Sequence, residues 1–329
     1  MKLLITGGAG FIGSCFIRHI LNTYPDYRVI NLDILGYAGN LDNLTDVEDN
    51  PNYSFVQGNI CDKKLVPQLM EEVDACLNFA AETHVDRSIT GPEIFVISNV
   101  LGTQNLLSWA KEFKIQRYVQ ISTDEVYGSL GKTGYFTENT PLAPNSPYSA
   151  SKASADMMVR AYFETYKLPA LITRCSNNYG PYQYPEKLIP LFITNVLQDR
   201  HVPVYGDGLN VRDWLYVYDH CRAIDAVLHK GREGEVYNIG GNNERTNLEI
   251  TEIILNALDK PKSLIKYVED RLGHDRRYAI DSTKIQQELG WQPEMQFEEG
   301  IKTTIDWYIN NPEWVRKLIS KKIAQEVRS

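Results

Sequence analysis

Short apolar runs alternate with stretches of helical period along the first half of the chain. Leu3-Leu4-Ile5 is one such run; it ends in glycines, and Ile17, Ile20 and Leu21 then recur at helical spacing. Further strands are predicted over 28–32, 54–57, 75–79, 118–121 and 170–174. Helices are predicted between them over 41–47, 65–72, 92–113 (with Pro92 near its start) and 148–166. Strand and helix in strict alternation predict an α/β chain with a Rossmann-type, doubly wound parallel sheet. Right-handed crossovers place the loops of successive strands along one edge, where ligands of such sheets bind. Gly8, Asp33, Asp62, Ala80 and the adjacent Thr123 and Asp124 follow five different strands, and all are expected at that edge.

Beyond about residue 180 the rhythm changes. Helical patterns over 188–197, 248–258 and 301–309 and a short extended piece at 202–205 read as a smaller C-terminal α/β substrate-binding lobe. The apolar run 236–239 is expected to return to the main sheet. The expected division is therefore 1–180 for the cofactor domain, with a return segment near 206–245, and 181–329 mainly for the substrate lobe, the two interleaved. A chain of 329 residues that is 43% hydrophobic can bury cores for both.

Charge and composition narrow the function. A net charge of −8 without a basic block excludes a phosphate-backbone binder, so no nucleic-acid partner is expected. The five cysteines (15, 61, 76, 175 and 221) form no C-x-x-C and the six histidines no H-E-x-x-H, so buried thiols and no metal are expected. The chain enters its first strand at once and has no apolar run long enough for a bilayer. The expectation is a cytoplasmic protein with no signal peptide and no membrane partner.

The glycines after the first strand fit both G-x-x-G-x-x-G (Gly7, Gly10, Gly13) and G-x-G-x-x-G (Gly8, Gly10, Gly13). Such a turn lets backbone N–H groups approach a pyrophosphate at a helix N-terminus. Asp33 ends the second strand 20 residues after Gly13, where an acceptor for a ribose diol belongs. Ile34 and Leu35 offer no Arg for a 2′-phosphate, which favours NAD over NADP. The competing readings are a flexible turn, or a Rossmann-shaped domain that has lost its cofactor.

Tyr148 and Lys152 are four residues apart and share a helix face. The ammonium is expected to hold the phenol nearer ionisation, making it a general base for a hydroxyl proton while hydride leaves. The adjacent Asp124 and Glu125 add acid and base capacity that a simple dehydrogenase does not need, and point to oxidation coupled to elimination. Neighbouring strand residues face opposite ways, so both carboxyls reach one substrate only if the strand has already ended. A surface i,i+4 pair and a helix-capping Asp-Glu are the plain alternatives.

Eight segments together resemble the extended short-chain dehydrogenase/reductase family of nucleotide-sugar enzymes, and within it the 4,6-dehydratases. They are TGGAGFIG (6–13), NFAAETHVDRS (78–88), STDEVYG (122–128), SPYSASKASAD (146–156), RCSNNYGPYQYPEKLIP (174–190), GDGLNVRDWLYVYDH (206–220), YNIGG (237–241) and DRLGHDRRYAID (270–281). The glycine turn and the Tyr/Lys pair identify only the superfamily, whereas Asp124-Glu125 after Thr123 points to dehydratases. One departure is a short segment between Tyr127 and Tyr148, which reads as a trimmed surface loop.

The resemblance implies NAD, dTDP-glucose as substrate, a homodimer, and three coupled steps. Tyr148 takes the C4 hydroxyl proton as hydride leaves C4, with Lys152 and Thr123 assisting. Glu125 then removes the C5 proton while Asp124 protonates the departing C6 hydroxyl, and hydride returns to C6. By the same resemblance Phe11 and Ile12 lie by the pyrophosphate, Ile60 and Asp62 by adenine, and Ala80, Ala81 and Glu82 along ribose and nicotinamide. Asn99 and Asn178 are expected at the cofactor's edge, and Thr83 and His84 where cofactor and sugar meet. Asn177, Lys187 and Leu188 are assigned to the sugar diphosphate and base, and Pro203 to Tyr205 to the nucleobase. Arg212 offers a bidentate fork for a phosphate oxygen, and Asn247 and the stretch from Asp270 to His274 complete the nucleotide pocket. His84 is equally readable as a structural histidine, and Lys187 and Arg212 as surface cations with acidic neighbours. The rival enzymes are a 4-epimerase and a UDP-glucuronate decarboxylase; outside enzymes, the rival is a non-catalytic NAD-binding scaffold. Helices over 92–113 and 153–166 are expected to pair across the dimer axis.

Overall fold

The computed structural model describes residues 1–326. In chain order the main sheet and its crossovers run β1 (Lys2–Thr6), α1 (Phe11–Thr23), β2 (Arg28–Asp33), β3 (Tyr53–Gln57), α2 (Leu65–Met70), β4 (Ala75–Asn78), α3 (Val85–Thr90), α4 (Glu93–Phe95), α5 (Gly102–Glu112), β5 (Arg117–Thr123), α6 (Pro147–Tyr166) and β6 (Ala170–Cys175). The remainder comprises β7 (Asn177–Tyr179), α7 (Leu188–Val196), β8 (Val202–Tyr205), β9 (Val211–Tyr216), α8 (Val217–Lys230), β10 (Val236–Ile239), β11 (Glu244–Thr246), α9 (Asn247–Ala257), β12 (Ile265–Val268), α10 (Thr283–Leu289), α11 (Phe297–Asn310) and α12 (Pro312–Glu326).

Seven parallel strands form one sheet in the order β10-β6-β5-β4-β1-β2-β3. Helices cover both faces, which is why the inner strands read as unbroken apolar runs. Phe16, Ile17 and Ile20 of α1 and Ile224, Val227 and Leu228 of α8 pack on one face. Met70, Leu106, Leu107 and Val159 of α2, α5 and α6 pack on the other. The expected doubly wound sheet is therefore present, and β10 joins it beside β6 as the sequence implied. A separate core joins α7, α9 and α11 through Phe192, Ile193, Ile254, Ile301 and Ile305. Two small sheets, β11-β9-β7 and β12-β8, complete this lobe.

The stretch 92–113 departs from the single helix expected. The short α4 passes into a π-helical segment, Val96–Leu101, before α5 begins. That wider turn carries a buried Asn99, whose side chain is engaged elsewhere in the fold; π-turns of this kind cluster at functional sites. Residues 41–47 hold only a 3₁₀ turn, Leu41–Leu44, opened by the Asn40 side chain. Helix α8 was not among the predicted elements, although Val217, Cys221, Ile224 and Leu228 mark its buried stripe.

Helices α1 and α8 are clasped by a polar cluster. Asp225 lies 2.7 Å from His19 Nε2 and 2.7 Å from His229 Nδ1, and the Tyr24 hydroxyl donates to it at 3.1 Å. Burial opposes ionisation of Asp225, but the hydrogen bonds and charges of His19 and His229 outweigh it and hold the carboxyl far below its usual range. The Asp225 hydrogen bond raises the pKa of His229. A depressed carboxyl stabilises above its unfolded pKa of about 3.9; a raised imidazole stabilises below its unfolded pKa of about 6.5 and loses this as pH climbs through the folded value. The clasp is strongest between those limits. Asp225→Asn is expected to cost roughly 1–2 kcal/mol more at pH 6 than at pH 8.5, the scale of a charged hydrogen bond, read by urea unfolding. Equal losses at both pH values would remove the charge from this account.

Candidate active site

The carboxyl edge of the main sheet gathers the first group of residues. Gly7 has φ +69°, and a Cβ there would lie 2.6 Å from the Ala80 backbone nitrogen. A Cβ at Gly13 would lie 2.4 Å from the Gly7 carbonyl. Helix α1 starts from Gly10 with no capping side chain and no acidic residue in its first turn. Its first amides, at Phe11, Ile12 and Gly13, therefore remain available to an anion. Asp33 accepts the Ala9 N–H (3.0 Å) and the Leu35 N–H (2.8 Å), which pins its carboxylate against the glycine turn. Bare amides, a turn that excludes side chains and a fixed acidic residue suit a dinucleotide such as NAD.

Ile60 is buried after β3, and its carbonyl accepts from Asn105 Nδ2 at 2.8 Å. The Asp62 side chain is committed to α2: it accepts the N–H groups of Leu65 and Lys64, which lower its pKa, and it is fully exposed. Ala80, Ala81 and Glu82 follow β4, with Ala80 N–H on Thr6 Oγ1 (3.3 Å). Asn99 accepts the Glu82 N–H (2.8 Å) and donates to the Glu82 carbonyl (3.0 Å) and to Ser151 Oγ (2.8 Å). One amide thus ties this loop to α6. Asn178 is held internally: its Oδ1 accepts from His220 and its Nδ2 donates to the Ser176 carbonyl. Burial drives the pKa of His220 down to about 3.

Helix α6 opens with a Ser146/Ser149 capping box and Pro147, which fixes where Tyr148 and Lys152 point. Both are buried, and Lys152 Nζ donates to the Ile121 carbonyl at 2.6 Å. Burial lowers the pKa of Lys152, against the opposing charge of Asp156. The Tyr148 phenol lies well above its usual pKa, through burial first and then the charge of Glu125, with Cys175, Asp124 and Tyr37 adding to it. The expectation is a phenol held nearer to ionisation by Lys152; the net direction here is the opposite, because desolvation and Glu125 come first and the ammonium is engaged with a carbonyl.

Strand β5 ends at Thr123, and Asp124–Tyr127 forms a 3₁₀ turn. Thr123 Oγ1 accepts the Glu125 N–H (3.3 Å) and donates to Asp124 Oδ1 (3.3 Å). The carboxyl pair has left the strand, as one-sided use of both side chains requires. It opens a turn, yet Asp124 is only 1% exposed, unlike an ordinary cap. Burial raises the pKa of Asp124 well above the carboxylate range, with Glu125 and Asp213 adding to the effect and its Oδ2 left without a hydrogen bond. Burial raises that of Glu125 too, but Arg212, Lys187 and Arg271 pull it back. The environment separates the pair into a proton holder and a more acidic partner.

Glu125 faces an open cleft of about 960 Å³ between the two lobes. Thr83, His84, Asn177, Asn178, Lys187, Leu188, Arg212, Asn247 and His274 line it as well. Lys187 donates to the Thr83 carbonyl (2.9 Å) and Arg212 to the Asp275 carbonyl (2.9 Å), with the guanidinium 4.3 Å from the Tyr278 ring centroid. Arg212 is buried and Lys187 partly buried, both against protein carbonyls, so neither is a free surface cation. His84 Nδ1 accepts the Arg87 N–H (3.3 Å) and so caps α3, while burial pulls its pKa down to about 4. It is a structural cap and a cleft wall at once. Asn177 Oδ1 and Asn247 Oδ1 are buried without hydrogen-bond partners.

Pro203, Tyr205 and Asp270 do not line the cleft. Val202 and Val204 take the inward side of β8, so its alternation turns Pro203 and Tyr205 the other way. Tyr205 meets the His274 ring edge-on (6.2 Å), and Asp270 accepts from His274 Nδ1 (2.6 Å); both buttress His274. Sequence reasoning passed over Gln183, Trp214 and Tyr278, which do line the cleft, whereas Arg271 lines it from within the expected stretch 270–274. Gln183, Trp214 and Tyr278 lie inside the segments that carry the family resemblance, but nothing in their spacing marks them. Trp214 Nε1 is buried without an acceptor.

The family model for GDP-mannose 4,6 dehydratase matches residues 4–304. The dTDP-glucose 4,6-dehydratase of Xanthomonas campestris pv. campestris is 54% identical over 96% of this chain and 95% of its own. The dTDP-glucose 4,6-dehydratase of Streptomyces venezuelae, solved with NAD bound, superposes with a TM-score of 0.95 at 52% identity, covering 97% of this chain and 100% of that one. That of Bacillus anthracis, solved in complex with NAD, gives 0.91 at 57% identity over 97% and 99%.

Proposed function

Because the chain belongs to the GDP-mannose 4,6-dehydratase family of extended short-chain dehydrogenase/reductases, we propose that it converts dTDP-glucose to dTDP-4-keto-6-deoxyglucose and water. The observation that carries this reading is the Asp124-Glu125 pair in the turn that ends β5, Asp124 buried and Glu125 facing the cleft, packed against the helix of Tyr148. An epimerase has no use for an acid at C6 and a base at C5, and a scaffold has no use for either.

NAD, held by the glycine turn, Asp33, the loop 80–82 and Lys152, supplies the hydride acceptor when bound. Tyr148 takes the C4 hydroxyl proton, and Thr123 orients the C4 oxygen. The C4 ketone acidifies the C5 hydrogen, which is the reason oxidation comes first. Glu125, kept the more acidic carboxyl by three cations, removes that proton. Asp124, kept protonated by burial and by Glu125, delivers its proton to the C6 hydroxyl, which leaves as water. Lys187 and Arg212 hold the diphosphate from the far side of the cleft, with Asn177 and Asn247 offering acceptors to the sugar and base. Residues 1–180, with the return near 206–245, carry the cofactor, and 181–329 carry most of the nucleotide pocket.

The chain is further proposed to act as a homodimer in the cytoplasm. Leu101 on the 96–101 segment and Met157 on α6, which packs against that segment, are 54% and 63% exposed, apolar side chains of the kind a second copy covers. Sedimentation equilibrium reads this directly as twice the chain mass. None of the described helices is long and apolar enough to cross a membrane. The test of the activity is incubation with dTDP-glucose and, separately, UDP-glucose, with products weighed by mass spectrometry. The expected result is loss of one water from the dTDP-sugar; an epimerised alcohol of unchanged mass would overturn it.

A further inference from the structure

Behind the reacting groups, three buried side chains connect the helix of Tyr148 to the turn of Glu125. Asp156 lies one helical turn beyond Lys152 and two beyond Tyr148, on the same face of α6. It is 1% exposed and accepts from Arg174 Nε at 2.8 Å. Arg174, itself 5% exposed, sits on β6 in register with Ser122 of β5 on one side and Asn238 of β10 on the other. Its Nη1 donates to the Tyr127 hydroxyl at 3.0 Å, and its guanidinium carbon stands 4.9 Å from the Tyr127 ring centroid. Tyr127 is the last residue of the turn that begins with Asp124. Its hydroxyl donates onward to Asn238 Oδ1 at 2.7 Å, and its ring stacks on Phe136 at 5.0 Å.

None of these three lines the substrate cleft. Asp156 and Arg174 face a second cleft of about 560 Å³, which shares no lining residue with the first. A buried ion pair is weak evidence of stability, because the desolvation of both charges offsets their attraction; its best-attested use is to fix registry. Here the elements so registered carry the two halves of one reaction. Tyr148 and Lys152 must meet C4, and Asp124 and Glu125 must meet C5 and C6 of the same bound sugar.

We propose that Asp156, Arg174 and Tyr127 are positioning residues that set the elimination pair against the oxidation pair. The inference rests on the dehydratase reading of the cleft. The Tyr127 hydroxyl is the joint on the carboxyls' own turn, and its hydrogen bonds run to Arg174 and Asn238. Its loss frees the 124–127 turn while Arg174 continues to hold α6 through Asp156. A displacement near 1 Å in reacting geometry can cost on the order of a hundredfold.

The test is Tyr127→Phe, which keeps the ring and removes one oxygen. In single turnovers of dTDP-glucose, quenched and weighed, water elimination is expected to slow at least about tenfold. C4 oxidation and KM should stay within about twofold, so the 4-ketoglucose intermediate accumulates. Arg174→Lys keeps the charge opposite Asp156 but lacks the fork that reaches Tyr127, and it should slow elimination more than oxidation in the same way. Equal slowing of both steps, or no change in either, overturns the proposal. The unaltered chain separates the two claims: if it forms no 4-keto-6-deoxy product the dehydratase reading fails, and if it does while both variants keep its partition, only the network fails.

Discussion

Tyr148→Phe is expected to lower C4 oxidation by about 10²–10⁴-fold, the range for losing a general base, and to lower product formation equally because no later step can begin. The change removes one oxygen from a buried ring. No neighbour can take over its task. Lys152 Nζ is engaged with the Ile121 carbonyl, and Thr123 Oγ1 already donates to Asp124. Burial together with the charge of Glu125 keeps the phenol protonated in the resting protein. Its activation therefore depends on the full assembly of Lys152, cofactor and sugar. Rapid-quench assays with dTDP-glucose check this; oxidation at the unaltered rate would remove Tyr148 from its role.

Glu125→Gln is expected to behave in the opposite sense at the first step. The amide keeps the size of the side chain and leaves the N–H that donates to Thr123 in place. It removes the charge that most opposes ionisation of Tyr148 after burial itself, so C4 oxidation should persist or quicken. Elimination should fall by about 10²–10⁴-fold, since the C5 proton has lost its acceptor. Asp124 should keep its proton in this variant, because burial comes before Glu125 among the causes that raise its pKa. The measurement is exchange of the C5 hydrogen in deuterated water, followed by mass. Exchange at the unaltered rate would assign the base elsewhere.

Much of this site is legible from spacing because the sheet enforces it. Alternating apolar runs specify parallel strands, parallel strands specify one reactive edge, and Gly7, Asp33, Thr123 and Asp124 then have few other places to be. The exit of Asp124 and Glu125 from β5 follows from the two-residue period of a strand once both carboxyls are assigned to one sugar. Other features were hidden for physical reasons. The π-turn at 96–101 involves a local widening that apolar periodicity does not register, so the route by which Asn99 joins Glu82 to Ser151 was invisible. Lys187 and Arg212 look like surface cations in a string of letters; only the packing of the second lobe sets them on carbonyls. The high pKa of Tyr148 depends on desolvation by residues from several elements, whereas the sequence displays only its neighbour Lys152. Asp156 and Arg174 are separated by 18 positions and meet only because α6 packs on β6.

The most direct test uses dTDP-glucose carrying deuterium at C4. If hydride is lent from that carbon and returned after water has left, the 4-keto-6-deoxy product carries the label at C6. Deuterium retained at C4 of an alcohol, or lost from the sugar altogether, would contradict the coupling of oxidation to elimination on which the assignment of Tyr148, Asp124 and Glu125 depends.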